Sequence, residues 1–162
     1  MSITGGCQCG AVRYRAEVGE KPHASICHCR MCQKATGGLF AAVVTVNDAQ
    51  LEWTRGAPST FESSSLARRG FCASCGTPLT YKWGGGTTAV MLGTFDQPDN
   101  LVPRVEYFHG RRHPVLGRLD ELKAPFRDES EMDEEMRHVL ESKAVHQHPD
   151  HDTDRWPPEG GR

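Results

Sequence analysis

From residue 5 to about residue 108 the chain is a succession of short apolar runs separated by glycine, proline, serine and aspartate, a pattern that predicts short strands rather than helices. Residues 11–18 alternate, with Val12, Tyr14, Ala16 and Val18 on one face and Arg13, Arg15 and Glu17 on the other, which predicts a half-buried strand. Residues 39–46 are apolar except for Thr45 and stop at Asn47 and Asp48, as expected of a strand buried on both faces. Further strands are expected at 67–71, 77–82 and 87–92. The last two are joined through Gly84, Gly85 and Gly86 in a hairpin turn, because glycine adopts positive φ at little cost. No phosphate-loop lysine follows those glycines.

Beyond residue 108 the pattern changes. Gly110-Arg111-Arg112-His113-Pro114 reads as a basic turn, and the charged stretch 128–143 places Met132, Met136, Val139 and Leu140 near helical spacing. An exposed helix with a narrow apolar stripe is expected there, able to dock on the domain or on a second copy of the chain in a homo-oligomer. Residues 146–162 hold too little apolar material to order themselves and are expected to form a flexible tail, on which His146, His148 and His151 would at most chelate adventitious metal. The expected division is a domain over 1–109, a charged and partly helical extension over 110–145, and the tail over 146–162.

With 37% hydrophobic residues in 162, the chain can bury one core of ordinary size. A net charge of −2 shows no electrostatic footprint for nucleic acid. The N-terminus lacks a basic segment followed by an apolar run, and no stretch approaches a membrane span of about 18 apolar residues. The sequence therefore reads as soluble and cytoplasmic, with no membrane partner. Seven cysteines in a reducing compartment, an odd number, point to metal ligation before a disulfide framework.

The cysteines form three clusters: Cys7 and Cys9; Cys27, Cys29 and Cys32; Cys72 and Cys75. Cys72-x-x-Cys75 followed by Gly76 has the form of a zinc knuckle, and Cys7 and Cys9, two apart on an extended chain, share a face and precede Gly10. Together these four would close a tetrahedral, structural site. Cys72 and Cys75 could instead join two cysteines of the middle cluster, but that would strand the remaining thiols, whereas four plus three leaves none unused. Cys27, Cys29 and Cys32 would then hold a second zinc with a vacant fourth position, giving two zinc ions per chain. All-thiolate ligation favours zinc and leaves iron as the competitor. Three thiolates on Zn²⁺ carry a net charge of −1, which makes a poor Lewis acid for water but suits a substrate thiol, deprotonated by the metal and still nucleophilic.

Gly5-Gly-Cys-Gln-Cys-Gly-Ala-Val-Arg-Tyr14, Cys27-His-Cys-Arg-Met-Cys-Gln-Lys34 with Gly37, and Phe71-Cys-Ala-Ser-Cys-Gly-Thr-Pro-Leu79 resemble the glutathione-dependent formaldehyde-activating enzyme family, whose domain centromere protein V shares. The resemblance covers residues 3–109. It implies a mainly β, β-tent fold of small antiparallel sheets, a structural zinc on Cys7, Cys9, Cys72 and Cys75, and a second zinc on Cys27, Cys29 and Cys32. It also implies a carbon–sulfur lyase that makes or cleaves the S-hydroxymethyl adduct of glutathione and formaldehyde. The acidic helix and the histidine-rich tail match nothing in that pattern.

Other readings compete. A closed second site would make the domain a non-catalytic zinc module for a thiol or a protein partner, and exposed zinc thiolates could serve redox sensing. His28, between two ligands, is expected to point away from the metal as a core or supporting residue. Arg30, Lys34, Arg68 and Arg69 could hold glutathione carboxylates, although such residues are usually solvated. Phe40, Phe71 and Trp83 could line a pocket, although aromatic residues in short strands usually fill the core.

Overall fold

In the computed structural model, which describes residues 1–125 and 128–157, the alternation of the sequence resolves into two sheets. The strands are β1 (Ser2–Gly6), β2 (Arg13–Glu17), β3 (His23–Cys27), β4 (Ala41–Asn47), β5 (Leu51–Arg55), β6 (Ser59–Ser64), β7 (Ala67–Phe71), β8 (Pro78–Trp83), β9 (Thr87–Met91) and β10 (Val105–Tyr107). A seven-residue helix, α1 (Arg30–Thr36), interrupts them, and α2 (Glu134–Ser142) follows them. One sheet has the order β1-β2-β5 and the other β10-β3-β4-β9-β8-β7-β6. The pairs are antiparallel, except that β10 runs parallel to β3 because the long connection after β9 returns the chain to the far edge of the large sheet.

Residues 67–71 form a strand with the expected bounds, and the other expected strands shift by one or two residues at their ends. The run at 39–46 is apolar on both faces for two different reasons. Val44 and Val46 are buried in the core with Tyr14, Ala16 and Val90. Ala41, Val43 and Thr45, on the alternate face, line a cavity. Tyr14 is fully buried, its ring edge-on to Trp53 and Phe95 and its hydroxyl 2.9 Å from Thr94 Oγ1. Burial of a side chain of this size is worth about 2–3 kcal/mol, and the hydroxyl partner removes the cost of burying a polar group.

Arg13, expected on the solvated face of its strand, is instead buried. Its guanidinium donates to both carboxylate oxygens of Asp96 at 2.8 and 2.6 Å and to Asp152. Burial resists ionisation of Asp96, but the Arg13 and Thr4 hydrogen bonds outweigh it and hold the carboxyl below its ordinary value.

That pair also corrects the expected flexible tail. Residues 147–156 lie back across β2 and β5, because the core offers them buried polar partners. His148 is buried and its amide donates to Gln8 O; Arg55 donates to Thr153; and the Trp156 indole donates to Cys9 O at 2.6 Å. His146 and His151 stay exposed. The part of the expected tail over 158–162 lies outside the described residues.

The expected helix at 128–143 is observed over Glu134–Ser142, started by Asp133, whose side chain accepts from the Met136 amide. Met136, Val139 and Leu140 are exposed along it. No described helix is long and apolar enough to cross a membrane.

Two candidate metal centres

The fold draws the seven cysteines into two groups. The sulfurs of Cys7, Cys9, Cys72 and Cys75 lie within 4.8 Å of one another, and so do those of Cys27, Cys29 and Cys32. All seven are free thiols. The division is four and three, as the count suggested, and Cys72 and Cys75 are not shared with the middle cluster.

In the four-cysteine group, Cys7 Sγ is 3.6 Å from Cys9 Sγ, and Cys9 Sγ is 3.9 Å from Cys72 Sγ. A tetrahedral zinc with bonds of about 2.3 Å separates its sulfurs by about 3.8 Å, whereas a disulfide needs about 2.05 Å. The donor set fits a four-coordinate ion. Each pair sits on a turn that closes on itself: Gly10 N donates to Cys7 O and Gly76 N to Cys72 O, with φ of +80° and +78° at the two glycines. A Cβ on Gly10 would also collide with the His148 ring, so glycine there admits both the turn and the tail. Cys7 and Cys72 are buried, and Trp156 and His148 cover the outer side of the first turn.

Electrostatics within this group are uneven. Burial pushes the Cys9 thiol up to about 12. Burial also opposes ionisation of Cys75, but the Thr77 hydroxyl and amide and the Cys9 amide outweigh it and bring the thiol down to about 6. Crowded thiols cannot all ionise unaided, and a divalent cation among them removes the conflict.

The three-cysteine group is built from six consecutive residues at the end of β3 and the start of α1. Cys29 caps α1 and accepts from the Cys32 amide at 3.4 Å, while Gly37 ends the helix in the left-handed conformation. Burial resists ionisation of Cys29, but the amides of Cys32 and Met31 and the neighbouring thiols hold it below the ordinary value. Cys27 is pushed up by burial to about 12. Arg69, buried on β7, donates from Nη2 to Cys32 Sγ at 3.4 Å and from Nε to Ser63 Oγ at 3.0 Å, and its guanidinium lies 4.7 Å from the centre of the Tyr81 ring. This cation stands against a cluster that, with a divalent ion, carries net negative charge. The cluster therefore also fits a metal, with three sulfurs from the protein and a cation behind them.

These three cysteines open onto a cavity of about 770 Å³. Its floor is one face of the large sheet, formed by alternate residues of neighbouring strands: Ser25, Ala41, Val43, Tyr81 and Ala89. Arg30 and Met31 of α1, with Phe108 and Arg111 beyond β10, form further wall. Burial pushes the Tyr81 phenol above its ordinary value, against the opposing Arg69 charge, so it remains a hydroxyl donor at neutral pH. Phe108 sits at φ 58°, ψ 46°, and among the described residues it is the one non-glycine with positive φ. For a bulky residue this costs about 1–2 kcal/mol.

His28 lies between two of these cysteines but outside the cluster. Its buried ring gives Nε2 to Glu106 at 2.8 Å and packs edge-on to Phe40, while its amide donates to Tyr107 O. It clamps β10 to the cysteine loop. Of the cationic candidates, Arg69 and Arg30 reach the cavity; Lys34 is exposed on α1, and Arg68 pairs with Glu62 on the surface. Trp83, expected in the core, is 64% exposed and lines the cavity, because β8 turns its Tyr81 and Trp83 side chains to that face. Phe71 packs with Phe61. Tyr81, Tyr107 and Phe108 are not marked out by the sequence, and Arg111 is marked only as part of a basic turn; pairing of Tyr81 with Arg69 across β7 and β8 is the one signal that strand alternation supplies.

Residues 2–111 match the sequence model of the family described as glutathione-dependent formaldehyde-activating enzyme. The chain is 32% identical over 91 residues to an uncharacterised lyase of Schizosaccharomyces pombe, covering 56% of this chain and 65% of that protein. It is 33% identical over 87 residues to a Halomonas elongata protein provisionally named a glutathione-dependent formaldehyde-activating enzyme, covering 49% of this chain and 55% of that protein. The chain thus spans less than two thirds of the length of these curated relatives. A solved structure of a Rhodobacter sphaeroides protein shares the fold with a TM-score of 0.52 at 22% identity, over 65% of this chain and 99% of that one.

Proposed function

The chain belongs to the glutathione-dependent formaldehyde-activating enzyme family, and on that premise we propose that it is a zinc-dependent carbon–sulfur lyase joining a thiol to a small aldehyde such as formaldehyde, or cleaving the S-hydroxymethyl adduct. The supporting observation is that Cys27, Cys29 and Cys32 face a cavity, while Cys7 and Cys72 are buried in the core and Cys9 and Cys75 pack against it. Zinc on the three cysteines would supply a Lewis-acid position that favours a substrate thiol as its thiolate. The four-cysteine group would hold a structural zinc.

The reaction adds a thiol S–H across H₂C=O. A sulfur lone pair forms the new C–S bond, the carbonyl π pair moves onto oxygen, and the proton released by the thiol ends on that oxygen. Within this scheme Arg69 steadies the Cys32 sulfur, and Tyr81, held protonated, is a donor on the same wall for the oxygen as it gains charge. Glutathione, the thiol of the family's name, is the first to test. Free thiols of this kind belong in a reducing compartment such as the cytoplasm. Adduct formation by the zinc-loaded protein should exceed the spontaneous rate; no acceleration with any thiol and aldehyde tried would remove the enzyme reading.

A further inference from the structure

The rim of the cavity is tied to the cysteine loop at one side chain that the proposed chemistry does not use. β10 is three residues long, lies at the edge of its sheet and pairs with β3 alone, in the parallel arrangement, so backbone bonds by themselves hold it weakly. Glu106, at its centre, adds three side-chain contacts. Its carboxylate accepts from His28 Nε2 at 2.8 Å and from His109 Nδ1 at 2.7 Å, and it pairs with Arg112 Nε at 3.3 Å. The His109 hydrogen bond, with that of His28, holds the carboxyl below its ordinary value, so it stays an ionised acceptor at neutral pH. The His28 ring is buried, and among the described residues its Nδ1 has no hydrogen-bond partner, so Glu106 is the polar anchor of that ring. His28 stands between Cys27 and Cys29, and its amide donates to Tyr107 O, so the cysteine loop and β10 are joined through both main chain and side chain.

The other two contacts serve the rim. Phe108 keeps a left-handed backbone while its ring is 57% exposed, so burial of that ring does not offset the conformation. A strained backbone of this kind persists only where its surroundings fix it. His109 and Arg112 bracket the turn that follows, in which Arg111 N donates to Phe108 O and Arg112 N to His109 O, and both side chains are drawn to Glu106. Tyr107, Phe108 and Arg111 line the cavity, whereas Glu106, His109 and Arg112 are not among its described lining.

We propose that Glu106 is a positioning residue that couples the two halves of the site. Through His28 it steadies the loop that carries Cys27 and Cys29, and through His109 and Arg112 it holds the turn that presents Phe108 and Arg111 to the cavity. This rests on the proposal that the cavity handles a thiol beside a metal on Cys27, Cys29 and Cys32. Glu106 would touch neither ion nor substrate and would act only through its three partners. Because one carboxylate serves both ends, a metal that steadies the loop would also steady the rim, and a ligand seated against the rim would strengthen metal binding in return.

The test uses the full-length protein, with chelator competition for zinc affinity and initial rates with glutathione and formaldehyde at saturating zinc. Glu106→Ala should weaken zinc at the three-cysteine site about tenfold, leave the four-cysteine site unchanged, and raise KM for the thiol about tenfold with kcat nearly constant. The Glu106 side chain is 34% exposed, so its loss should leave a cooperative melt. The paired change His109→Ala and Arg112→Ala, at exposed side chains, should raise KM by a similar factor with a smaller loss of zinc affinity. Glu106→Gln keeps an oxygen for His28 and loses the charge that His109 and Arg112 meet, so it should recover zinc affinity more than KM. A Glu106→Ala protein in which only the melting temperature falls, or in which zinc affinity and KM are both unchanged, overturns the inference. If that variant does not melt cooperatively, an unchanged KM in both Glu106→Gln and the paired variant does so instead. The two claims fail separately. A parent protein that gives no acceleration removes the enzyme reading, and zinc affinity with calorimetric binding of glutathione then takes the place of the rates; accelerated adduct formation with unaltered Glu106 variants removes this inference alone.

Discussion

The two cysteine clusters use the same side chain for opposite ends. The four-cysteine group joins residues 7–9 to residues 72–75, is partly sealed in the core, and is covered by the returning tail. The three-cysteine group is confined to residues 27–32, half-exposed at the mouth of a cavity. A metal that bridges some 63 residues of chain removes far more freedom from the unfolded state than one held within a single turn. On the proposed reading, sequence separation as much as the number of sulfurs would distinguish a cluster that stabilises the fold from one free to serve chemistry.

The sharpest way to break this comparison is to remove one sulfur from each cluster. Cys72→Ser should forfeit a metal contribution on the order of 10 kcal/mol, comparable with the whole stability of a domain, so the protein should lose zinc from that cluster and fail to melt cooperatively. Cys29→Ser should retain a cooperative transition within a few degrees of the parent while adduct formation falls about 100-fold or more. Zinc stoichiometry by mass spectrometry and thermal melts on both variants decide it; equal destabilisation would show that the clusters do not divide the work.

A smaller effect is expected at the cation behind the open cluster. Arg69→Met removes the Nη2 donor to Cys32 and leaves the other cluster untouched. Zinc affinity of the three-cysteine site should fall about tenfold, read by competition with a chromogenic chelator, with no change at the four-cysteine site. Among the described residues, Arg69 Nη1 is buried without a hydrogen-bond partner, and the side chain is held by Ser63, Cys32 and Tyr81. Restoring affinity with Arg69→Lys would assign the effect to charge, since lysine keeps the cation and loses the fork.

The smallest expected effect concerns the cover on the closed cluster. Burial pushes His148 below its ordinary value of 6.5, with the nearby Arg13 and Arg55 charges adding to it. A base whose folded pKa is depressed is neutral when docked, so the docked tail is fully favoured above about 6.5, and stability is lost as pH falls from there through the depressed value. Hydrogen exchange at the Trp156 indole, which donates to Cys9 O, should accelerate over that window. His148→Gln, which cannot titrate there, should flatten the dependence.

Much of the site was legible because metal ligation leaves a spacing signature: Cys7 and Cys9 two apart before a glycine, Cys72 and Cys75 around a glycine turn, and three cysteines within six residues are local patterns that imply convergence, although Cys7 and Cys9 converge on a turn and not on one face of an extended strand. The β-rich class was legible from alternation for the same reason. What the pattern could not show was which buried surface is core and which is cavity. Apolar residues on both faces of β4 look alike in sequence, yet Val44 packs inside and Val43 faces the site. Trp83 misled because aromatic character reports burial only when the other side of the sheet is covered. The tail misled because its order comes from polar partners far away in sequence, Asp152 on Arg13 and Thr153 on Arg55, which composition does not register.

Cys29 holds one end of α1 as well as one corner of the open cluster. A helix of seven residues has too few internal hydrogen bonds to persist without outside support. Its cap is a sulfur that a metal would also claim, and Cys32, one turn on, is the next ligand. Were the three cysteines to hold a metal, its occupancy and the helix–coil equilibrium of this segment would be one linked equilibrium. Arg30 and Met31, which line the cavity from the same turn, would then shift with it. Stripping the metal would unravel a wall of the cavity along with its reactive centre, so the apoprotein should be blind to its substrate as well as inactive.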